Sequence, residues 1–231
     1  MARKTTIVAA AIQVHAVTWP VRVSVFLAFA YFLVCVQSSY AQNLGEKSSV
    51  VDEVLSLTTW VSEADRCPAE LAQSEEANDR TSSKDCRVGN LKSCLIRCKA
   101  GVPGACYWLG QTLQSEGKAR QAAEVLFQRS CKLGVASGCT NRAAGMALEK
   151  KNNEVTQACA AKTYQKTCAL DDPWGCTMYA FHLSKGLGTT TNRELALQVL
   201  KKSCKYGPED DACSQGLSLR KQLLKEKQVA Q

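Results

Sequence analysis

From residue 98 onward, apolar and small side chains recur with helical spacing, and they keep step with cysteine. Three and seven places past the cysteines at 106, 139 and 176 stand Leu109/Leu113, Arg142/Met146 and Tyr179/Leu183. The fourth place is always small: Gly110, Ala143, Ala180. Such an i, i+3/i+4 stripe predicts an amphipathic helix with a slot for close approach of a neighbour. ACYWLGQTLQ, GCTNRAAGMALEK, GCTMYAFHLSKG and ACSQGLSLRKQLLKEK therefore form one class of helix, A. A second class, B, is ARQAAEVLFQRSC, EVTQACAAKTYQKTC and NRELALQVLKKSC, in which Ala123/Ala160/Ala196 and Phe127/Tyr164/Leu200 coincide. One small and one large apolar place per helix is what two helices need in order to nest. Gly117-Lys118 and Gly186-Leu187-Gly188 are expected to end A helices, because glycine tolerates the left-handed turn. Asn192 is placed to cap a B helix, with Glu194 in the first turn.

The cysteines set the period. Cys98/Cys106, Cys131/Cys139 and Cys168/Cys176 are each eight apart, and Cys204/Cys213 nine. Their first members lie 33, 37 and 36 residues from one another. A fixed period of this length marks stacked helical hairpins, so the expected fold is an all-α, right-handed α/α solenoid of alternating A and B helices. A bridge across eight residues would close the turn between one B helix and the next A helix. In the loop-entropy description such a ring is worth roughly 2.5 kcal/mol. Cys86 and Cys94 have the same spacing, but only three residues separate Cys94 from Cys98, so 86–98 reads as a degenerate repeat before about three full hairpins ending at 217. Residues 218–231 read as a polar capping helix. Cys67 and Cys159 fall outside the pattern; Cys159 aligns with Ala122 and reads as a buried small residue. Zinc would need CxxC knuckles or histidine partners, whereas no CxxC occurs and His182 is the one histidine after the first 41 residues. No cofactor is expected.

Charge and compartment refine this picture. Arg3 and Lys4 precede an uncharged apolar run from Val23 to Val36, and Ser39-Tyr40-Ala41 follows it. Residues 1–41 are read as a secretory signal, too short in its apolar run for the roughly 20 residues of a membrane span, although a retained anchor or an organelle presequence stays open. Twelve of the 13 cysteines follow it, which implies an oxidising compartment, periplasmic or extracellular. Residues 42–85 carry 10 acidic and 4 basic side chains, a balance of −6, and read as a polar, partly mobile leader. Residues 86–231 carry 11 acidic and 22 basic, a balance of +11, suited to an anionic envelope surface or to solubility alone. Nucleic acid is not expected as a partner, because no aromatic-basic stacking platform is present.

GACYWLG and GCTMYAFHLSKGLG for helix A, and NRELALQVLKKSC for helix B, resemble the Sel-one-like repeat family, a branch of the tetratricopeptide superfamily. The seven-residue gap between paired cysteines is similar to the Helicobacter cysteine-rich type. The resemblance covers about residues 98–217 and departs from the pattern in the degenerate first repeat and the weak glycine loop at 148–153. It implies a modular scaffold for protein–protein interaction. It also implies two alternatives: a weak penicillin-binding or β-lactamase-like activity, and an assembly or redox role in the mitochondrial intermembrane space. For a scaffold, specificity belongs where repeats differ. The second and sixth places past the A-helix cysteine do differ: Trp108/Thr112, Asn141/Gly145 and Met178/His182 are i, i+4 pairs able to touch one ligand. For a serine enzyme, Ser115-Glu116-Gly117-Lys118 and Ser218-Leu219-Arg220-Lys221 match Ser-x-x-Lys, without the supporting Ser-Asp-Asn and Lys-Thr-Gly motifs. No catalytic residue is assigned.

Overall fold

The computed structural model describes residues 44–75, 77, 86, 90–114, 117–149 and 153–229. The expected export signal, residues 1–41, lies outside them. From residue 45 the chain forms one compact unit. Among the described residues it is all helical, without a strand. The helices are α1 (44–56), α2 (Thr58–Ala64), α3 (Pro68–Leu71), α4 (Leu91–Lys99), α5 (Pro103–Leu113), α6 (Gly117–Lys132), α7 (Ala136–Glu149), α8 (Glu154–Ala169), α9 (Pro173–Lys185), α10 (Arg193–Val199) and α11 (Asp211–Val229). A 3-10 turn, Leu200–Cys204, follows α10. From α4 to α9 each helix packs on the next in sequence; α9 packs on α10 and α11, and α7 also meets α9.

The local chemistry of the ends explains where these helices start and stop. Pro103 and Pro173 stand in the first turn of α5 and α9, where a missing N–H loses no bond. Asp172, Asn153 and Asn192 cap α9, α8 and α10 by accepting from Gly175 N, Thr156 N and Leu195 N. Gly186 ends α9 with φ at 70°, the left-handed conformation that favours glycine. Gly117 and Lys118, expected in a loop, begin α6 instead.

The predicted stripes form the core. Leu109, Leu113, Phe127 and Ala123 lie in one buried cluster with Val50, Val51 and Val54 of α1. Tyr164, Tyr179, Leu183, Ala180, Ala196, Leu200 and Leu223 lie in a second. Within the acidic segment, 44–75 is largely helical: Val50, Val51, Val54, Ala64, Ala69 and Leu71 are buried, an apolar content that net charge conceals. The stretch ACSQGLSLRKQLLKEK lies in one helix, α11, which runs unbroken from Asp211 to Val229.

Five disulfides close the helix junctions: Cys86–Cys94, Cys98–Cys106, Cys131–Cys139, Cys168–Cys176 and Cys204–Cys213, with Cα atoms 4.3–5.1 Å apart. Cys94 and Cys98 sit one turn apart on α4, so that single helix carries two junctions. A sixth, Cys67–Cys159, joins the start of α3 to α8 across 92 residues. Cys159 is therefore a half-cystine and not a lone buried thiol. Six disulfides in so small a chain belong to an oxidising environment.

A tight polar fit accompanies two of the junctions. A Cβ at Gly138 would collide with Ser130 Oγ, and one at Gly175 with Thr167 Oγ1. The hydroxyl before one cysteine thus occupies the space that glycine leaves before its partner. At the second of these, Thr140 Oγ1 and Ser137 Oγ donate to Asp172 at 2.6 and 2.7 Å.

Candidate functional site

A helix turns about 100° per residue, so places −2, +2, +5 and +9 from the A-helix cysteine share an arc of about 60°. On α5 this arc presents Trp108 and Gln111; on α7, Ser137, Asn141, Ala144 and Leu148; on α9, Trp174, Met178, Phe181 and Lys185. Large apolar groups stand open on it: Trp108 is 37 % exposed, Leu148 57 %, Trp174 40 % and Phe181 37 %. On α11 the same places hold Asp211, Gln215, Ser218 and Gln222, all exposed and polar. Across α5 and α7 the arc carries no charged side chain, in a region whose overall balance is strongly basic.

Trp108 is held from its own helix. The Tyr107 ring meets it edge-on with centroids 5.0 Å apart, and Gln111 Nε2 donates to the Tyr107 hydroxyl at 3.0 Å. Burial raises the Tyr107 phenol pKa, and the Gln111 bond draws it back in part. Thr112 is half-buried, its Oγ1 lying 2.8 Å from Cys86 O and 2.9 Å from Trp108 O.

The structure divides the expected i, i+4 pairs. Trp108 is exposed, and Asn141 and Met178 are half-buried, with Met178 leaning on the second core cluster. The sixth places turn inward. His182 is 2 % exposed; its ring stands edge-on to Tyr164 at 5.0 Å and its Nδ1 lies 2.8 Å from Leu187 O. Burial depresses the His182 pKa, while the Leu187 carbonyl pulls it up in part. His182 is thus a core residue rather than a ligand contact. The reason is register: the sixth place is rotated away from the exposed arc toward the B helices, and Phe181, at the fifth, takes the outer position. Gly145, also a sixth place, is buried against the Glu124 carboxylate.

That carboxylate marks a second feature. Arg142, in the stripe place that holds leucine in α5 and tyrosine in α9, pairs with buried Glu124 at 2.9 Å and donates from Nε to Ala64 O at 2.9 Å. Burial pushes the Glu124 carboxyl upward, and Arg142 opposes the shift. A cavity of about 340 Å³ between α2, α6 and α7 opens beside this pair. The periodic stripe hid the pair, since arginine there reads as an interruption; a glutamate on the preceding B helix, 18 residues back, was the available signal.

Of the Ser-x-x-Lys matches, Ser115 lies outside the described residues, Lys118 sits 3.9 Å from Asp52, and Ser218 and Lys221 are exposed on α11. No helix among the described residues is long and apolar enough to cross a membrane. No family model, curated protein or solved structure matches the chain.

Proposed function

We propose that this chain is an exported, disulfide-stabilised scaffold that binds protein partners along the exposed arc of its A helices. The observation that carries this reading is the set Trp108, Leu148, Trp174 and Phe181, exposed in one register on three A helices whose backbones are clamped by buried disulfides. Aromatic anchors dominate binding energy at protein interfaces, and a scaffold already rigid loses little entropy on ordering them. The sequential packing of α4 to α9 supports a right-handed α/α solenoid of the Sel-one-like type, whose extended surfaces serve this purpose. The six disulfides support a periplasmic or secreted site of action.

The test is affinity capture from the native envelope or medium by immobilised protein, read by mass spectrometry. Wild type is compared with Trp108→Ala/Trp174→Ala/Phe181→Ala and with Lys162→Ala on an exposed B-helix place. The triple variant is expected to lose the specifically retained protein with its helical circular dichroism intact, while Lys162→Ala retains it. Equal capture by all three removes the arc from consideration.

A further inference from the structure

Cys67–Cys159 stands apart from the other disulfides. It joins residues 92 apart, where the rest join residues eight or nine apart. Both of its half-cystines are partly exposed, whereas each junction pair has at least one buried member. It closes no junction; it fastens a strap, α2 and α3, onto α6 and α8. Apart from the disulfide, a set of polar contacts holds that strap. Gln128 Nε2 donates to Glu63 O at 2.9 Å and to Arg66 O at 3.1 Å, and Ala69 N donates to Thr163 Oγ1 at 3.1 Å. Arg142 Nε donates to Ala64 O, Lys166 Nζ to Ala69 O, and Lys132 pairs with Glu63. The arginine of the body, Arg129, stacks on the Trp60 ring at 5.0 Å. Apolar contact adds to these: Ala64, Pro68, Ala69 and Leu71 are buried, and Trp60 and Val61 pack, partly buried, against the first core cluster.

We propose that Cys67–Cys159 is a redox latch: a dithiol reductant opens it while the five junction disulfides stay closed, and residues 58–75 then come away from α6 and α8. A thiolate of the dithiol attacks one sulfur of the pair, the S–S bond breaks, and the other sulfur leaves as thiolate. The second thiol of the reductant then resolves the mixed disulfide. The reductant ends as a disulfide, and Cys67 and Cys159 end as two thiols carrying its two electrons and two protons. Selectivity comes from access, since attack requires a thiolate to reach a sulfur. At four junctions both half-cystines are buried, and at Cys204–Cys213 only Cys204 is partly exposed, so a reductant meets at least one covered sulfur, and the thiols stay adjacent for re-closure. On the strap, the sulfurs face partly outward, and opening lets the two thiols move apart. The surface released is polar and basic, made of Gln128, Arg129, Lys132, Arg142, Thr163 and Lys166.

The test uses the full purified chain in graded dithiothreitol, with alkylation read by peptide mass spectrometry and amide hydrogen exchange read in parallel. Cys67 and Cys159 are expected to be alkylated at a dithiol concentration at least about tenfold below that which opens any junction pair, equivalent to about 30 mV for a two-electron couple. Exchange should rise first and most over 58–75, at reductant levels and labelling times where α9 and α11 are still protected. A junction pair opening as early, or a strap still protected once Cys67–Cys159 is open, overturns the latch. Cys67→Ser/Cys159→Ser should show the same raised exchange without reductant, and a protected strap there overturns it equally. Should that variant fail to fold, the wild-type titration decides alone.

Discussion

The junction clamps and the strap are two answers to one problem, holding helices together with sulfur, and they differ in what encodes them. A clamp such as Cys131–Cys139 joins elements already adjacent in sequence, beneath a turn, and it recurs because the repeat recurs. The strap joins α3 to α8 across 92 residues and occurs once. Local clamps set how one helix follows another. The strap ties α2 and α3 to α8, through elements that also touch α6 and α7. In the loop-entropy description a nine-residue ring is worth roughly 2.5 kcal/mol and a ring of about 93 residues roughly 4.5 kcal/mol.

The largest expected effect follows from that contrast. Cys67→Ser/Cys159→Ser should lower the unfolding free energy by about 4–5 kcal/mol and Cys131→Ser/Cys139→Ser by about 2–3 kcal/mol. Guanidinium unfolding with the remaining bridges verified by peptide mapping measures both. If the junction variant loses more than the strap variant, the clamps rather than the strap carry the long-range cohesion, and the contrast fails.

Arg142 sharpens it next, because it touches both regions: Glu124 in the repeat body and Ala64 O in the strap. Arg142→Leu leaves the Glu124 carboxylate buried and unpaired, and should cost about 3–4 kcal/mol. Arg142→Leu/Glu124→Leu should recover most of that loss, since removing both charges of a buried pair is often close to neutral. Chemical denaturation of the three proteins tests this. A double variant as weak as the single one would show that the Ala64 bond, and hence the strap, accounts for the loss instead.

What the chain disclosed about itself divides along the same line. Everything periodic was legible: the stripe at Leu109, Leu113, Met146, Tyr179 and Leu183, the nested Ala123/Phe127 and Ala160/Tyr164 places, and the spacing of the junction cysteines. These features repeat, so each copy corroborates the others. The strap occurs once, and its partners are set by tertiary packing; nothing in the spacing of Cys67 and Cys159 points one to the other. The acidic composition of 42–85 hid Val50, Val51 and Val54 of α1 and Leu71 of the strap, which are buried. Within the candidate site, Trp108 was legible as a place where repeats differ, but the rule pairing the second place with the sixth overlooked helical rotation. The fifth and the minus-second places carry Phe181 and Trp174 outward, and His182 goes inward.

His182 supplies the smallest effect and the one that separates the two regions by pH. Its ring is enclosed against Tyr164 and Leu187, and burial holds its folded-state pKa below the ordinary 6.5. Above pH 6.5 the imidazole is neutral in both states and contributes no pH dependence. As pH falls below 6.5, the unfolded chain takes up a proton that the folded chain refuses until its lower pKa is reached. Stability therefore declines across that window. The strap has no histidine; its ion pairs include Lys132 with Glu63 and Arg66 with Glu70. Mild acidification should loosen α8 and α9 while leaving 58–75 as protected as before. Glu124 has the opposite sign: burial raises its carboxyl above 4.5, so stability declines as pH rises through that interval. The difference between wild type and His182→Gln cancels it and isolates the imidazole. Gln keeps a side-chain N–H donor for the Leu187 carbonyl without a titrating group. Hydrogen exchange at pH 7.5 and 5.5 should show α8 and α9 opening at the lower pH in wild type and not in His182→Gln. Equal pH dependence in both proteins, or opening that begins in the strap, would place the acid-sensitive element outside the repeat interior.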